Sequence, residues 1–280
     1  MRPLSVFIGD DFTGASDTLA TWARAGVPAR LFLDAAEAAA ADKNLEVIGI
    51  ATELRGLSAE RIRARASDVA EWVRSLEPRF VHYKVCSTFD SGPETGSIGA
   101  AVRAFEQVLD PGLTLVLGGQ PSLGRYCLFG TLFARAADGE VYRIDRHPVM
   151  RRHPVTPMTE ADLAVHLAAQ GLDTLQSIPF TELSGQSGPL ADLLKPGRGR
   201  GPARFLLDAA SAEDICLVGA ALGAIAGERP VLLVGASSVA EALLACRKSG
   251  SMPMKPASIP PANNPPARGA VLSLPEAARR

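Results

Sequence analysis

The sequence is poor in aromatic residues, which make up 5% of its 280 residues, and it carries no excess of positive charge. Lysine and arginine total 29 against 30 acids, a net charge of −1. A nucleic-acid binder shows a basic surplus or a basic stripe interleaved with aromatics, so neither composition nor balance supports one. Long apolar runs are missing too. The longest, such as Pro230–Ala236, reach only strand length, far from the roughly 20 residues a membrane helix needs. The four cysteines, Cys86, Cys127, Cys216 and Cys246, are scattered and form no C-x-x-C pair, as expected of reduced thiols in a cytoplasmic protein. Met1-Arg2-Pro3-Leu4 leads straight towards a strand without a signal-peptide layout. No G-x-G-x-x-G and no Walker A sequence occur, which removes the common dinucleotide and P-loop fingerprints.

What is present is core-forming material. The apolar fraction is 47% and the mean hydropathy +0.11, which excludes wholesale disorder. Leu4–Ile8, Ala29–Leu33, Glu46–Ala51, Arg79–Cys86, Leu113–Leu117, Ala203–Leu207 and Val231–Val234 read as strands. Ser58–Leu76 carries Ile62, Ala66, Val69, Val73 and Leu76 at helical spacing. Thr159–Ala169 and Ser211–Ala226 read as helices capped by Thr159 and Ser211, and a further helix opens near Ala15. Strands alternating with helices predict an α/β fold: a doubly wound, mostly parallel sheet with helices on both faces. Thr131–Ile144 breaks the rhythm as a local antiparallel hairpin turning at Asp138-Gly139. Ser184–Gly201 reads as a surface loop rich in glycine and serine. The expected organisation is a small-acid-binding domain over 1–248, a proline-rich linker over 249–268 and the start of another domain over 269–280.

Four loops carry candidate chemistry. In the first, Gly9-Asp10-Asp11-Phe12-Thr13-Gly14 joins a buried strand to a helix. Ligands of open α/β sheets bind beyond the C-terminal strand ends, where paired carboxylates can accept substrate hydroxyls or take a proton. Gly14 permits close backbone approach, while Asp and Thr before a helix serve equally as caps. In the second, Lys84, Ser87 and Thr88 follow another strand, although a lone strand lysine is also an ordinary solvated edge residue. The third, Gly118 to Arg125, ends on Gly124-Arg125, where arginine can clamp a carboxylate or simply face solvent. The fourth, Arg146 to Met158, puts His147 and His153 six residues apart, outside helical metal spacing; no metal site is expected, and its basic residues read as a solvated loop or an anion-binding rim.

In this order the segments resemble the four-carbon acid sugar kinase family. Asp10-Asp11-Phe12-Thr13-Gly14-Ala15 is similar to its D-D-x-T-G-A signature, and Thr52-Glu53-Leu54-Arg55 to its T-x-x-R strand end. Tyr83-Lys84 with Ser87-Thr88 resembles Y-K-K-x-D-S-T, with Cys86 in place of the aspartate and Phe89–Thr95 in place of L-R-G-N. Gly124-Arg125 with Gly130, Leu132 and Phe133, then His153-Pro154-Val155-Thr156-Pro157-Met158, then Gly235-Ala236-Ser237-Ser238, complete the match over about 4–245. The resemblance implies the sugar-acid-binding part of a kinase that uses ATP and Mg2+ on threonate, erythronate or 3-oxo-tetronate. It implies Asp11 as base and Asp10, Thr13, Gly14, Arg55, Lys84, Ser87, Thr88, Gly124, Arg125 and His153 as substrate contacts. The nucleotide domain is not expected in this chain, so neither ATP nor Mg2+ is expected to bind it alone; a separate nucleotide-binding domain or a homo-oligomer are the expected partners. The competing expectation is a non-catalytic acid-binding module.

Overall fold

The computed structural model describes residues 3–39, 44–183, 187–194, 202–225 and 229–248. The segments read as a linker and a second-domain start, 249–268 and 269–280, lie outside the described residues. The chain runs β1 (Ser5–Gly9), α1 (Phe12–Arg24), β2 (Ala29–Phe32), α2 (Ala35–Ala39), β3 (Val47–Ala51), α3 (Ala59–Ser75) and β4 (Phe80–Lys84). It continues through α4 (Ile98–Leu109), β5 (Leu113–Leu117), β6 (Arg125–Leu128), β7 (Thr131–Arg135), β8 (Val141–Arg143) and α5 (Leu163–Ala168). Then come β9 (Gln176–Ile178), α6 (Phe180–Leu183), α7 (Ser187–Leu193), β10 (Ala203–Leu207), α8 (Ala212–Ala224), β11 (Val231–Gly235) and α9 (Ser238–Lys248).

Eight strands form one sheet in the order β2-β3-β1-β4-β11-β5-β10-β9, with every neighbouring pair parallel. β1, β3, β4, β5 and β11 are buried along their whole length, which explains why β3 and β11 read as continuous apolar runs, while β4 buries His82 and Lys84 as well. Alternation divides their side chains between two cores. Val6 and Ile8 pack with α3, α4 and α5, whereas Phe7 packs with α1, α8 and α9. Phe7 sits opposite Gly49, whose missing side chain is filled by the Phe7 ring; a Cβ there would lie 2.0 Å from Phe7 Cζ. The expected doubly wound sheet is present.

The antiparallel excursion turns where expected, with Gly139 at φ +88°. It gains a third strand, β6, which the loop reading of Gly118–Arg125 did not include. Asp208, at the end of β10, secures this small sheet by accepting hydrogen bonds from the Gly130, Phe129 and Phe180 backbone N–H groups. Three boundaries shift. The first helix starts at Phe12 rather than Ala15, because Asp11 caps it. Asp162, not Thr159, caps α5: its carboxylate takes the Ala164 and Val165 N–H groups, while Glu160 takes those of Ala161 and Asp162. Part of Ser184–Gly201 is helical, as α7, anchored by the fully buried Leu190.

Candidate active site

Chain direction reverses about β1 and β4. The connection leaving β1 runs to one side of the sheet, and that leaving β4 runs to the other, so the crevice at their C-terminal ends is a topological switch point. Gly9 is level with both Ala51 and Lys84, and Lys84 with Gly235, so the loops after β1, β3, β4 and β11 start at one height. Backbone bonds tie them together: Asp10 N–H donates to Lys84 O at 3.0 Å, Arg55 N–H to Asp10 O at 3.0 Å, Thr52 N–H to Gly9 O at 2.9 Å and Val85 N–H to Gly235 O at 3.0 Å, and the Thr52 hydroxyl adds a bond to Gly9 O at 2.6 Å.

On this frame Arg55 grips both carboxylates. Its Nε and Nη2 reach the two oxygens of Asp10 at 2.9 and 2.7 Å, and its Nη1 and Nη2 reach those of Asp11 at 3.1 Å each. Four of the five guanidinium protons are thereby engaged. Asp10 is buried behind the arginine, whereas Asp11 is partly exposed and accepts the Gly14 N–H at 2.8 Å as helix cap. Asp11 is thus a helix cap, and the same side chain lines the crevice. Burial opposes the Arg55 charge, but hydrogen bonds and charge from Asp10 outweigh it and hold the guanidinium above its ordinary range. Burial pushes the Asp10 carboxyl upward, against the pull of Arg55.

Lys84 ends a central strand and is 4% exposed, so the solvated-edge reading does not hold for it. Its Nζ donates to Val85 O at 2.8 Å, which uses one of three ammonium protons. It lies against the bare Cα of Gly14, where a Cβ would come within 2.6 Å of Nζ and 2.7 Å of Asp11 Oδ1. A side chain there would have to displace the ends of Lys84 and Asp11.

A cavity of about 200 Å³ opens over these groups. Of the residues named from sequence, Asp11, Thr13, Gly14, Arg55, Lys84 and Ser87 line it. Asp10 stands behind Arg55, and Thr88 is buried beneath, bonded to Cys86 and Asp90. Gly124, in the turn before β6, and Arg125, which opens it, lie outside the lining; Arg125 Nη1 donates to Leu123 O at 2.8 Å. His153 is also outside, its Nδ1 accepting the Thr156 N–H at 3.1 Å; Thr156 Oγ1 continues to Asp90 at 3.4 Å, and so towards Thr88. Asp17, Cys86, Gln120 and Leu123 complete the lining and were not singled out as site residues. The Cys86 thiol is pushed up by burial and by the Asp90 charge, which keeps it protonated and weakly nucleophilic at neutral pH.

Residues 5–243 match the family described as a sugar-binding N-terminal domain. The chain belongs to the four-carbon acid sugar kinase family. It is 43% identical over 184 residues to a 3-oxo-isoapionate kinase of Paraburkholderia graminis, covering 65% of this chain and 39% of that protein. It is 28% identical over 277 residues to a 3-oxo-tetronate kinase of Cupriavidus necator, covering 97% of this chain and 61% of the relative. The chain therefore spans roughly half the length of these family relatives. A Bordetella bronchiseptica protein carrying domain of unknown function 1537, solved as a domain-swapped dimer with bound citrate, shares the fold with a TM-score of 0.71 at 24% identity, over 89% of this chain and 57% of that one.

Proposed function

We propose that this chain is the substrate-binding part of an ATP-dependent kinase that phosphorylates a hydroxyl of a four-carbon sugar acid. The observation that carries the reading is Lys84, a buried ammonium with two protons uncommitted among the described residues, facing a cavity that also presents Asp11. The ammonium charge is coupled to Asp10 but makes no direct ion pair among the described residues, and a buried cation so placed is suited to an anionic ligand. In this reading the substrate carboxylate takes the free Lys84 protons, and the remaining Arg55 proton is its second donor. Asp11 and Asp17 receive substrate hydroxyls, and Asp11 is the base that orients the attacking one. Asp10 positions Arg55 and touches no ligand. At about 200 Å³ the cavity suits one small acid, being below the roughly 300–1,000 Å³ of drug-sized sites.

ATP and Mg2+ would supply the phosphoryl group and neutralise its charge; phosphoryl transfer otherwise depends mainly on positioning. The turn Gly235–Ser238 offers no free side-chain hydroxyl to a nucleotide phosphate. Ser237 is bonded to Asp17 and to Thr18, and Ser238 Oγ donates to Gly119 O at 2.8 Å, so both hydroxyls are committed inside the domain. The proposal assigns the nucleotide to a separate domain, and no step is routed through this turn. A thermal-shift panel tests the reading. Threonate, erythronate and 3-oxo-tetronate should raise the melting temperature saturably, while the uncharged tetritol erythritol should not. Equal stabilisation by erythritol, or none by any acid, would overturn it.

A further inference from the structure

Gln120 is a polar lining residue of the crevice that takes no part in the anion and hydroxyl contacts described so far. It follows β5 and is 3% exposed, yet it lines the same cavity as Lys84. Its backbone is pinned in both directions. Gln120 N–H donates to Arg125 O at 2.9 Å, and Gln120 O accepts the Leu123 and Arg125 N–H groups at 2.9 and 3.1 Å. The preceding Gly119 has φ +89°, and a Cβ there would lie 2.3 Å from Ala209 O. The amide is thus carried on a fixed turn at the cavity wall. Glu241 orients it: Ser122 Oγ donates to Glu241 Oε1 at 2.8 Å, and Gln120 Nε2 donates to the same oxygen at 3.5 Å. The reversed amide would set its oxygen against the carboxylate, so the nitrogen is the atom that faces Glu241. Oε1 is left as a buried acceptor without a hydrogen-bond partner among the described residues. Leaving a buried acceptor unpaired is costly. The contact to Glu241 is long and the terminal torsion of a glutamine is soft, so a small turn of the amide offers Oε1 to a ligand in the cavity.

Placement on the sheet indicates what the ligand must donate. Leu117 is level with Gly235, and Gly235 with Lys84. Neighbouring strands lie about 4.8 Å apart, so the β5 loop leaves the sheet about 10 Å from Lys84. A ligand held by its carboxylate at Lys84 therefore meets Gln120 with a part of its chain remote from that carboxylate. The β5 loop contributes Gln120 and Leu123 to the described lining, and leucine accepts nothing. A neutral amide also adds no negative charge to a crevice that already presents Asp11 and Asp17 and has to hold an anion. From these features we propose that Gln120 is a specificity-determining residue, whose Oε1 accepts one hydroxyl of the bound sugar acid. That hydroxyl is not the attacking one, whose single proton is directed to Asp11. The ligand class narrows accordingly to acids bearing at least two hydroxyls. The assignment rests on the acid-binding reading of the crevice.

Titration and scanning calorimetry of Gln120→Met in the whole chain test it, with threonate, erythronate and 3-oxo-tetronate as probes and butanoate as the hydroxyl-free counterpart. Methionine keeps the length of the side chain and removes the acceptor. The acid that wild type binds most tightly should bind the variant about 3- to 12-fold more weakly, the value of one neutral hydrogen bond. Butanoate should bind the two proteins within about twofold of each other. The unliganded Tm should be unchanged or higher, because an orphaned acceptor has been removed; a purely structural role for Gln120 would lower it. Hydroxylated-acid binding within about twofold of wild type would overturn the assignment, as would an equal loss for butanoate or a Tm fall of more than about 4 °C. Failure of every acid to bind wild type would overturn the acid-binding reading itself, and this assignment with it.

Discussion

Arg55→Met is the most informative single substitution in the paired-carboxylate cluster. It keeps much of the side-chain volume and removes all four hydrogen bonds to Asp10 and Asp11. The Asp10 side chain is 5% exposed and that of Arg55 25%, so neither is solvated enough to discount the pair heavily. Removing one partner of such a pair strands a buried charge, at a cost of about 3–5 kcal/mol. For a domain of this size each kcal/mol lowers Tm by roughly 2–4 °C, giving an expected drop of roughly 6–20 °C at pH 7. The pH dependence has a definite sign. Without Arg55 the Asp10 carboxyl, already raised by burial, rises further above its unfolded value. The folded variant then holds a proton that the unfolded chain releases. Its deficit relative to wild type should therefore shrink as pH falls from 7 towards about 4. Adding Asp10→Asn should recover much of the loss, because the stranded charge is gone. Scanning calorimetry and urea titration at several pH values measure each quantity. A Tm drop below about 2 °C, or a deficit that grows on acidification, would refute the burial argument.

Gly14→Ala should displace Lys84 and weaken acid binding at least about tenfold, read by calorimetry, since the new Cβ would meet Nζ at 2.6 Å. Asp11→Asn should keep the helix cap, shifting stability by about 0.5 kcal/mol or less from capping alone, while changing the acid-induced Tm shift; an unchanged shift would leave Asp11 as a cap only. His82, fully buried in β4, is lowered to about 3 by desolvation, so the folded state resists protonation that the unfolded chain accepts near 6.5. Stability from this group should fall as pH drops from about 6.5 towards 3, by up to about 1.4 kcal/mol per pH unit, and His82→Leu should flatten that limb of the curve. Gly49→Ala should destabilise by about 1–3 kcal/mol or more in urea titration, because the Phe7 ring occupies the space a Cβ requires.

How far the sequence reaches depends on how local the information is. Strands β1, β3, β5 and β11 are largely apolar runs bounded by turn residues, and Ser58 and Ser211 cap their helices as their positions suggest. The D-D-x-T-G-A signature locates the first loop. Asp162 and Thr159 illustrate the limit: both are capping residue types, and only Glu160 bonding the intervening N–H groups decides between them. Burial of Lys84 was illegible because strand order, not local pattern, makes β4 central. Arg55 meets the carboxylates across 44 and 45 residues, a contact that the T-x-x-R resemblance suggested but no periodicity encodes. Gln120 and Leu123 reach the cavity only because β5 lies two places from β4, with β11 inserted between them from the far end of the chain. The Gln120–Glu241 contact likewise joins residues 121 positions apart, and neither carries a motif.

The central claim rests on the Lys84 ammonium as the anion-holding group, and calorimetry of Lys84→Met against wild type tests it most directly. Methionine preserves the apolar stem and removes the charge, so the buried strand end should stay packed. Wild type should bind a four-carbon sugar acid saturably, and Lys84→Met should bind it about 10- to 150-fold more weakly, the value of about 1.5–3 kcal/mol for charge-assisted hydrogen bonds. A variant that is folded and binds the acid as tightly as wild type would contradict the account.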